Sequence, residues 1–554
     1  MNLSLYILYY FAISSSILGY GIFFHRIFFY EERINYGYCG LFGIFALTII
    51  LYLTSFIVAH NLIFNFSIIL IGILFIVHHI KGNSIELKKD LIILFLIFVF
   101  LLQFIFSAKT HDDFSYYHFP YIHLLTQDLH FYGIGNFNHG FRTPSSIFYL
   151  SSLLYLPKIN YDLIHIAPVF FLGFVNFVLI KDIIKEIKLK KVSYVLYFSL
   201  LNFSLINIFF YRLSEHGTDK SAQILILLIV SNILIYLTNN IKDPFRLNKI
   251  LILIFLTVSL KVFYLINLLL LIPIFLIKKK KIDFVINIFC NKIFIICLFF
   301  LLIIFGINII NTGCVIYPLS ISCFESIPWS IQTNEVKQMN EWYQLWSKAG
   351  ATPEFRISEP NEYIKNFNWL ANWIEHYFFN KVLDYILGIS FLSIIFIFIF
   401  KKKNFLLKKI NFNKNILLVY AIILFLFLEW FYNHPALRYG GYHLIAILIF
   451  LPLSFYLEKI SFYDSISKKK IGYLFLLILV IVTSRNIVRI EKEVNLYNYN
   501  IYKNPSYNSE FKNIEIFNNV MTIKNCIKEK NEACKNQKIK GENFFNSVMF
   551  YRAK

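Results

Sequence analysis

Long apolar runs recur along this chain, each about 20 residues, almost free of charge and separated by short basic stretches. A run of roughly 20 apolar residues matches the hydrocarbon thickness of a bilayer. In lipid the backbone must satisfy its own hydrogen bonds, so such runs are helices. The composition agrees: 58% of residues are hydrophobic and 15% charged, with a mean hydropathy of +0.62. A soluble domain is about half apolar and about a quarter charged. A soluble enzyme, a disordered chain and a small disulfide-stapled secreted domain are excluded.

The net charge of +21 is read by location. Lysines cluster between apolar runs, at 278–281, 401–403 and 468–470. That is the pattern of cytoplasmic loops, whereas nucleic-acid binding needs one continuous basic face, so no nucleic-acid partner is expected. Neither GxGxxG nor GxxxxGK[ST] occurs. The first Lys or Arg is Arg26, and the apolar run before it is too long for a cleaved signal peptide.

An all-α polytopic fold of about fourteen passes is expected, at 5–24, 39–59, 62–79, 91–108, 162–180, 192–211, 222–238, 249–260, 262–277, 291–311, 382–400, 416–432, 441–457 and 471–484. The eighth and ninth read as one run broken by Lys261. A single helix would strand that charge at mid-membrane, whereas a hairpin brings it to a surface. The hairpin also keeps every lysine-rich loop on one side. The connections 109–161, 212–221, 312–381 and 433–440 then fall outside. The domains are a transmembrane unit, 1–484, and an extracytoplasmic tail, 485–554. Two cysteine pairs, Cys314 with Cys323 and Cys526 with Cys534, lie on that outer side and fit local disulfides; the alternative is four free thiols. Cys39, Cys290 and Cys297 lie in or beside apolar runs and read as packed thiols.

The outer loops hold the polar groups without structural duty. The first begins Lys109-Thr110-His111-Asp112-Asp113-Phe114-Ser115-Tyr116-Tyr117-His118. Adjacent acids repel, which raises one pKa unless a cation or metal is present. That suits a general base or a metal ligand; alternatively, one of them caps a helix starting near Phe114. The second loop packs Arg212, Glu215, His216, Asp219 and Lys220 together. Glu215 and Asp219 suit a divalent cation or sugar hydroxyls, or form local ion pairs in a solvated loop. Lys261 suits a lipid phosphate, or snorkels. In the last loop Arg438 is a natural phosphate clamp and His434 could donate to the same anion; the bland reading is a turn with an interfacial arginine. Glu429 is placed to pair with either. Five of the six tryptophans fall in 312–381, where they stack on sugars or anchor an interface.

Over residues 91–280 the arrangement resembles the GT-C superfamily of polytopic glycosyltransferases, which includes protein mannosyltransferases and aminoarabinose transferases. The segment His111-Asp112-Asp113-Phe114-Ser115-Tyr116-Tyr117 is similar to the acidic pair of the family's first outer loop, with Asp at 113 where the family has Glu. Three extra helices precede it. The resemblance implies inverting transfer of a sugar from a polyprenyl-phosphate donor to an acceptor, on the outer face of the bacterial cytoplasmic membrane. It implies Asp112 as catalytic acid with Asp113 beside it. His118, Glu215, Asp219, Lys261, His434 and Arg438 would bind substrate. A divalent metal, held by Asp112, Glu215 and Asp219, is left open. The rivals are an O-antigen-type polymerase or ligase, which favours arginines in later loops, and a transporter, which predicts repeated halves.

Overall fold

The computed structural model describes residues 3–81, 85–189, 193–215, 217–238, 244–277, 281–351, 357–401, 414–460, 465–503, 505, 510–527 and 539–552. The described chain is nearly all α-helical, with one β-hairpin, Ile539–Phe544 paired with Ser547–Arg552. Among the described residues, ten helices are long and apolar enough to cross a membrane: Leu3–Phe28, Tyr36–Thr54, Leu62–Lys81, Ile164–Lys188, Asp219–Thr238, Lys292–Thr312, Leu370–Phe400, Lys414–Asn433, Gly441–Ile460 and Lys468–Tyr497. The other four expected runs are helical too, at Ile85–Ile105, Tyr194–Phe209, Pro244–Leu260 and Val262–Leu276. Large apolar side chains such as Ile63, Phe391, Phe398 and Leu476 are exposed on these helices, as a bilayer-facing surface requires. The chain is a multi-pass membrane protein.

Helix association in lipid relies on close backbone approach and interhelical polar contacts. A Cβ on Gly21 would lie 1.5 Å from the Cys39 carbonyl oxygen, and one on Gly43 would lie 1.9 Å from that of Ile17. The first two helices therefore cross backbone to backbone. Deeper in the bundle Asn176 and Asn207 exchange side-chain amide hydrogen bonds of 2.9 and 2.8 Å, leaving neither donor stranded in an apolar setting.

Lys261 breaks the eighth run. The Pro244–Leu260 helix ends there, with Lys261 extended at φ −162° and ψ 121°, and a 3₁₀ helix continues over Val262–Leu271. A 3₁₀ helix rises about 2.0 Å per residue against about 1.5 Å for an α-helix. The segment through Leu276 thus covers as much depth as the longer helix before it. The Nδ2 of Asn291, just before the Lys292–Thr312 helix, donates to the Asn248 side chain at 2.8 Å. The chain has returned to the end from which it started, as a hairpin requires.

At the opposite end the long connections converge. His111 N–H donates to the Glu215 carbonyl at 2.7 Å, Gln223 Nε2 to that of Arg438 at 2.9 Å, and Gly133 N–H to that of Ile310 at 2.7 Å. The C-terminal segment packs there as well. Tyr132 N–H donates to the Val548 carbonyl, and Phe550 N–H to that of Tyr132, extending the hairpin onto the first loop.

The last of the long apolar helices, Ser465–Tyr497, passes the expected boundary at 484. Its extension is held by a buried pair, Arg489 and Glu493, 2.9 Å apart. Arg489 Nη2 donates to the carbonyls of Gln103 and Phe106, and Glu493 accepts from Ala108 N–H at 2.7 Å. These bonds satisfy orphan groups where the Ile85–Ile105 helix ends.

Candidate functional site

A cavity of about 400 Å³ opens among the converging loops. Of the expected site residues, Asp113, Lys261, His434 and Arg438 line it, and Asp219 lies directly against two of them.

Asp219 starts the Asp219–Thr238 helix. Its Oδ1 lies 2.5 Å from Lys261 Nζ, and its Oδ2 3.3 Å from Arg438 Nε. The first is a hydrogen-bonded ion pair; the second is a charge contact without hydrogen-bond geometry. Lys261 and Arg438 do approach each other, and the group bridging them is this carboxylate. The Tyr439 ring sits between, 4.9 Å from Lys261 Nζ and 5.3 Å from the Arg438 guanidinium carbon. Arg438 also lies 5.2 Å from the Trp346 ring centre. Its loop is fixed from three sides: Trp373 donates to the Pro435 carbonyl, Ala436 N–H to Ser347 Oγ, and Leu437 N–H to Tyr377 Oη.

Arg438 reaches the first loop too, where its Nη2 is 3.7 Å from Asp113 Oδ2. Of the expected acidic pair, Asp112 is exposed and lines no part of the cavity, whereas Asp113 faces it. Asp113 precedes a π-helical turn, Phe114–His118, and makes no side-chain capping bond. The capping alternative therefore does not describe it. Burial pulls the Asp113 carboxyl upward, but His111, Arg438 and His118, with the Tyr117 hydroxyl donating to Oδ2 at 3.3 Å, hold it below its ordinary value. It is ionised at neutral pH.

Glu215, also expected at the site, does not line the cavity. It turns away from the cavity to Arg212, 3.3 Å distant, while its backbone carbonyl braces His111. Burial raises its carboxyl pKa against the pull of Lys220, Arg212 and Lys109. The metal set Asp112, Glu215 and Asp219 is accordingly not assembled. Among the described residues, His111, Asp113 and His118 instead bring potential ligand atoms within 4.8 Å of one another. His118 does not line the cavity; it is buried behind Tyr117. His434 lines the cavity, and burial, with Lys348 and Lys261 nearby, pushes its imidazole down to about 4. It is a neutral donor or acceptor at pH 7. Glu429 bonds Asn433 Nδ2 at 3.0 Å instead of the expected His434 or Arg438, and it too faces the cavity.

On the opposite wall, Arg142 and Tyr317 were not singled out from the sequence, whereas the tryptophans and the Cys314–Cys323 pair were. Arg142 is buried, pairs with Glu335 at 2.5 Å, and donates to the Gly135 carbonyl and Tyr317 Oη. Tyr317 is held in a loop that the Cys314–Cys323 disulfide closes. Cys526 is also disulfide-bonded; Cys534, its expected partner, lies outside the described residues, as does His216. Trp342, Tyr343 and Trp346, on the Thr333–Lys348 helix, complete an aromatic face. Trp369 and Trp373 are packed in the core instead. The signal for Arg142 was a lone arginine among apolar and small residues, a charge that needs a partner once buried.

No curated protein and no solved structure matches this chain. A family model does, over residues 3–446, a stretch that contains every residue of the cavity and stops short of the C-terminal segment. The chain therefore belongs to the family described as a domain of unknown function, DUF8201.

Proposed function

We propose that the protein is a GT-C-like glycosyltransferase of about fourteen passes in the bacterial cytoplasmic membrane. It moves a sugar from a polyprenyl-phosphate donor to an acceptor hydroxyl on the outer face, where its C-terminal segment also lies. The observation that carries this reading is a single cavity with an ionised acid, Asp113, a paired lysine and arginine, and an aromatic wall. Lys261 and Arg438 retain N–H donors beyond those spent on Asp219, and these would hold the donor phosphate. Trp342 and Trp346 offer faces on which a sugar ring stacks.

Asp113 would take the proton of the acceptor hydroxyl as its oxygen bonds to the anomeric carbon. The bond from that carbon to the phosphate oxygen breaks, and polyprenyl phosphate leaves with the electron pair, its charge stabilised by the two cations. One displacement inverts the anomeric centre. An apolar cavity of about 440 Å³, lined by Trp373, Phe378, Phe427, Trp430 and Phe431, adjoins the 433–440 loop and suits a lipid chain.

The test is transfer by the purified protein from polyprenyl-phosphate sugars. Asp113→Asn is expected to lower the rate by about 10²–10⁴, with Asp112→Asn close to the parent. The reverse order would remove Asp113 from the mechanism. Arg142 and Arg438 on one cavity favour a polymerase or ligase as the second reading; turnover of pyrophosphate-linked donors alone would select it.

A further inference from the structure

The π-helical turn after Asp113 has a chemical consequence. In an α-helix, residues five apart project about 140° from each other at 3.6 residues per turn. Here His118 N–H reaches back to the Asp113 carbonyl at 3.3 Å, closing the wider turn and carrying residue 118 back over residue 113. His111 joins them from the preceding strand of loop, its ring 5.6 Å from that of His118 and nearly parallel to it. One ligand atom from each of the three lies within 4.8 Å of the others. His118 is 2% exposed, and neither of its ring nitrogens has a hydrogen-bond partner among the described residues. Buried nitrogens are costly to leave unpaired, and two on one ring are uncommon.

We propose that His111, Asp113 and His118 form a binding site for a divalent transition metal of the zinc class. Two imidazoles and one carboxylate suit zinc and its neighbours, whereas calcium and magnesium take oxygen sets. Three protein ligands leave a fourth position open, as catalytic zinc sites do. That position faces the cavity through Asp113, and the His111 and Asp113 side chains, 32% and 31% exposed, give the ion its way in. Ligands of a tetrahedral ion at about 2.1 Å stand roughly 3.4 Å apart. His111 Nδ1 and Asp113 Oδ2 are already at 3.4 Å. The Asp113 amide N–H, 3.1 Å from His111 Nδ1, would give up that bond. Tyr117 and Arg438 both contact Oδ2 of Asp113 and orient the carboxylate from outside. Asp219 shares the charge of Arg438, which tempers its repulsion of the ion. The proposal stands on this geometry and not on the transfer reading, in which a metal-bound Asp113 would accept the proton through Oδ1.

The test uses the full-length protein in detergent, stripped with a chelator and titrated with Zn²⁺ against a chromophoric competitor, with Co²⁺ absorption reporting the donor set. One ion per chain is expected. His111→Gln and His118→Gln should each weaken binding by more than the roughly 100-fold upper range of outer-shell changes, and Tyr117→Phe by about 10-fold. His139→Gln, on the same cavity, should leave affinity unchanged. Retained folding of the variants is read from their elution and unfolding temperature without metal. Should His118→Gln fail to fold, Asp113→Asn takes its place. No stoichiometric ion in the parent protein would overturn the site, as would parental affinity in folded His111→Gln and Asp113→Asn, or equal loss in His139→Gln.

Discussion

Asp219→Asn probes the centre of the cavity through stability, without any assay of transfer. The carboxylate touches Lys261 at 2.5 Å and Arg438 at 3.3 Å, and its side chain is 11% exposed. Unit charges at these two separations interact by about 7 and about 5 kcal/mol at an effective dielectric of 20, a gross loss of about 12 kcal/mol before solvation. Removing one partner of a buried pair costs about 3–5 kcal/mol in practice. Lys261 and Arg438 keep 23% and 32% of their side-chain surface exposed, so water recovers part of the loss. The expected cost is about 2–3 kcal/mol, measured by SDS titration of the purified protein in mixed micelles. Lys261→Met in the same chain removes one stranded cation, so the double variant should be more stable than the sum of the single losses by about 1–2 kcal/mol. Inorganic phosphate should stabilise Asp219→Asn more than the parent, because the two freed cations accept an anion. A cost below about 0.5 kcal/mol, or additivity in the double variant, would refute the account of Asp219 as the bridge.

Arg489→Met strands Glu493 where both side chains are almost fully buried, and should cost about 3–5 kcal/mol in the same titration; Arg489→Met with Glu493→Leu should cost less. His434 has its pKa lowered to about 4 by burial. The unfolded chain binds that proton near 6.5 while the folded chain does not, so stability is full above pH 6.5 and falls towards pH 4. His434→Gln should flatten the stability–pH slope over that window by up to about 1.4 kcal/mol per pH unit; an unchanged slope would place the titration elsewhere. A Cβ on Gly140 would lie 2.1 Å from Tyr117 Cγ. Gly140→Ala should therefore cost about 1–3 kcal/mol and displace Tyr117 from Asp113; parental unfolding would refute the contact.

Local chemistry determined the elements. Uncharged runs long enough for a bilayer become helices because lipid leaves the backbone no other partner, and all fourteen expected runs are helical. Lys261 was legible as a break because a lone charge has no low-energy place inside a single long helix. Cys314 and Cys323 were legible because nine positions separate them in one loop. What depends on orientation and on distant partners was not legible. Whether Asp112 or Asp113 faces the cavity turns on a π-helical turn that no side-chain pattern announces. Whether Glu215 or Asp219 meets Lys261 depends on how two hairpins seat against each other. The last of the long apolar helices runs to Tyr497 because Arg489 and Glu493 find the end of a helix nearly four hundred positions earlier in the chain. Arg142 became a cavity residue because Glu335 and Tyr317 close around it. Hydrophobic length is a property of consecutive residues, whereas the neutralisation of a buried charge is a property of the neighbours that the fold supplies.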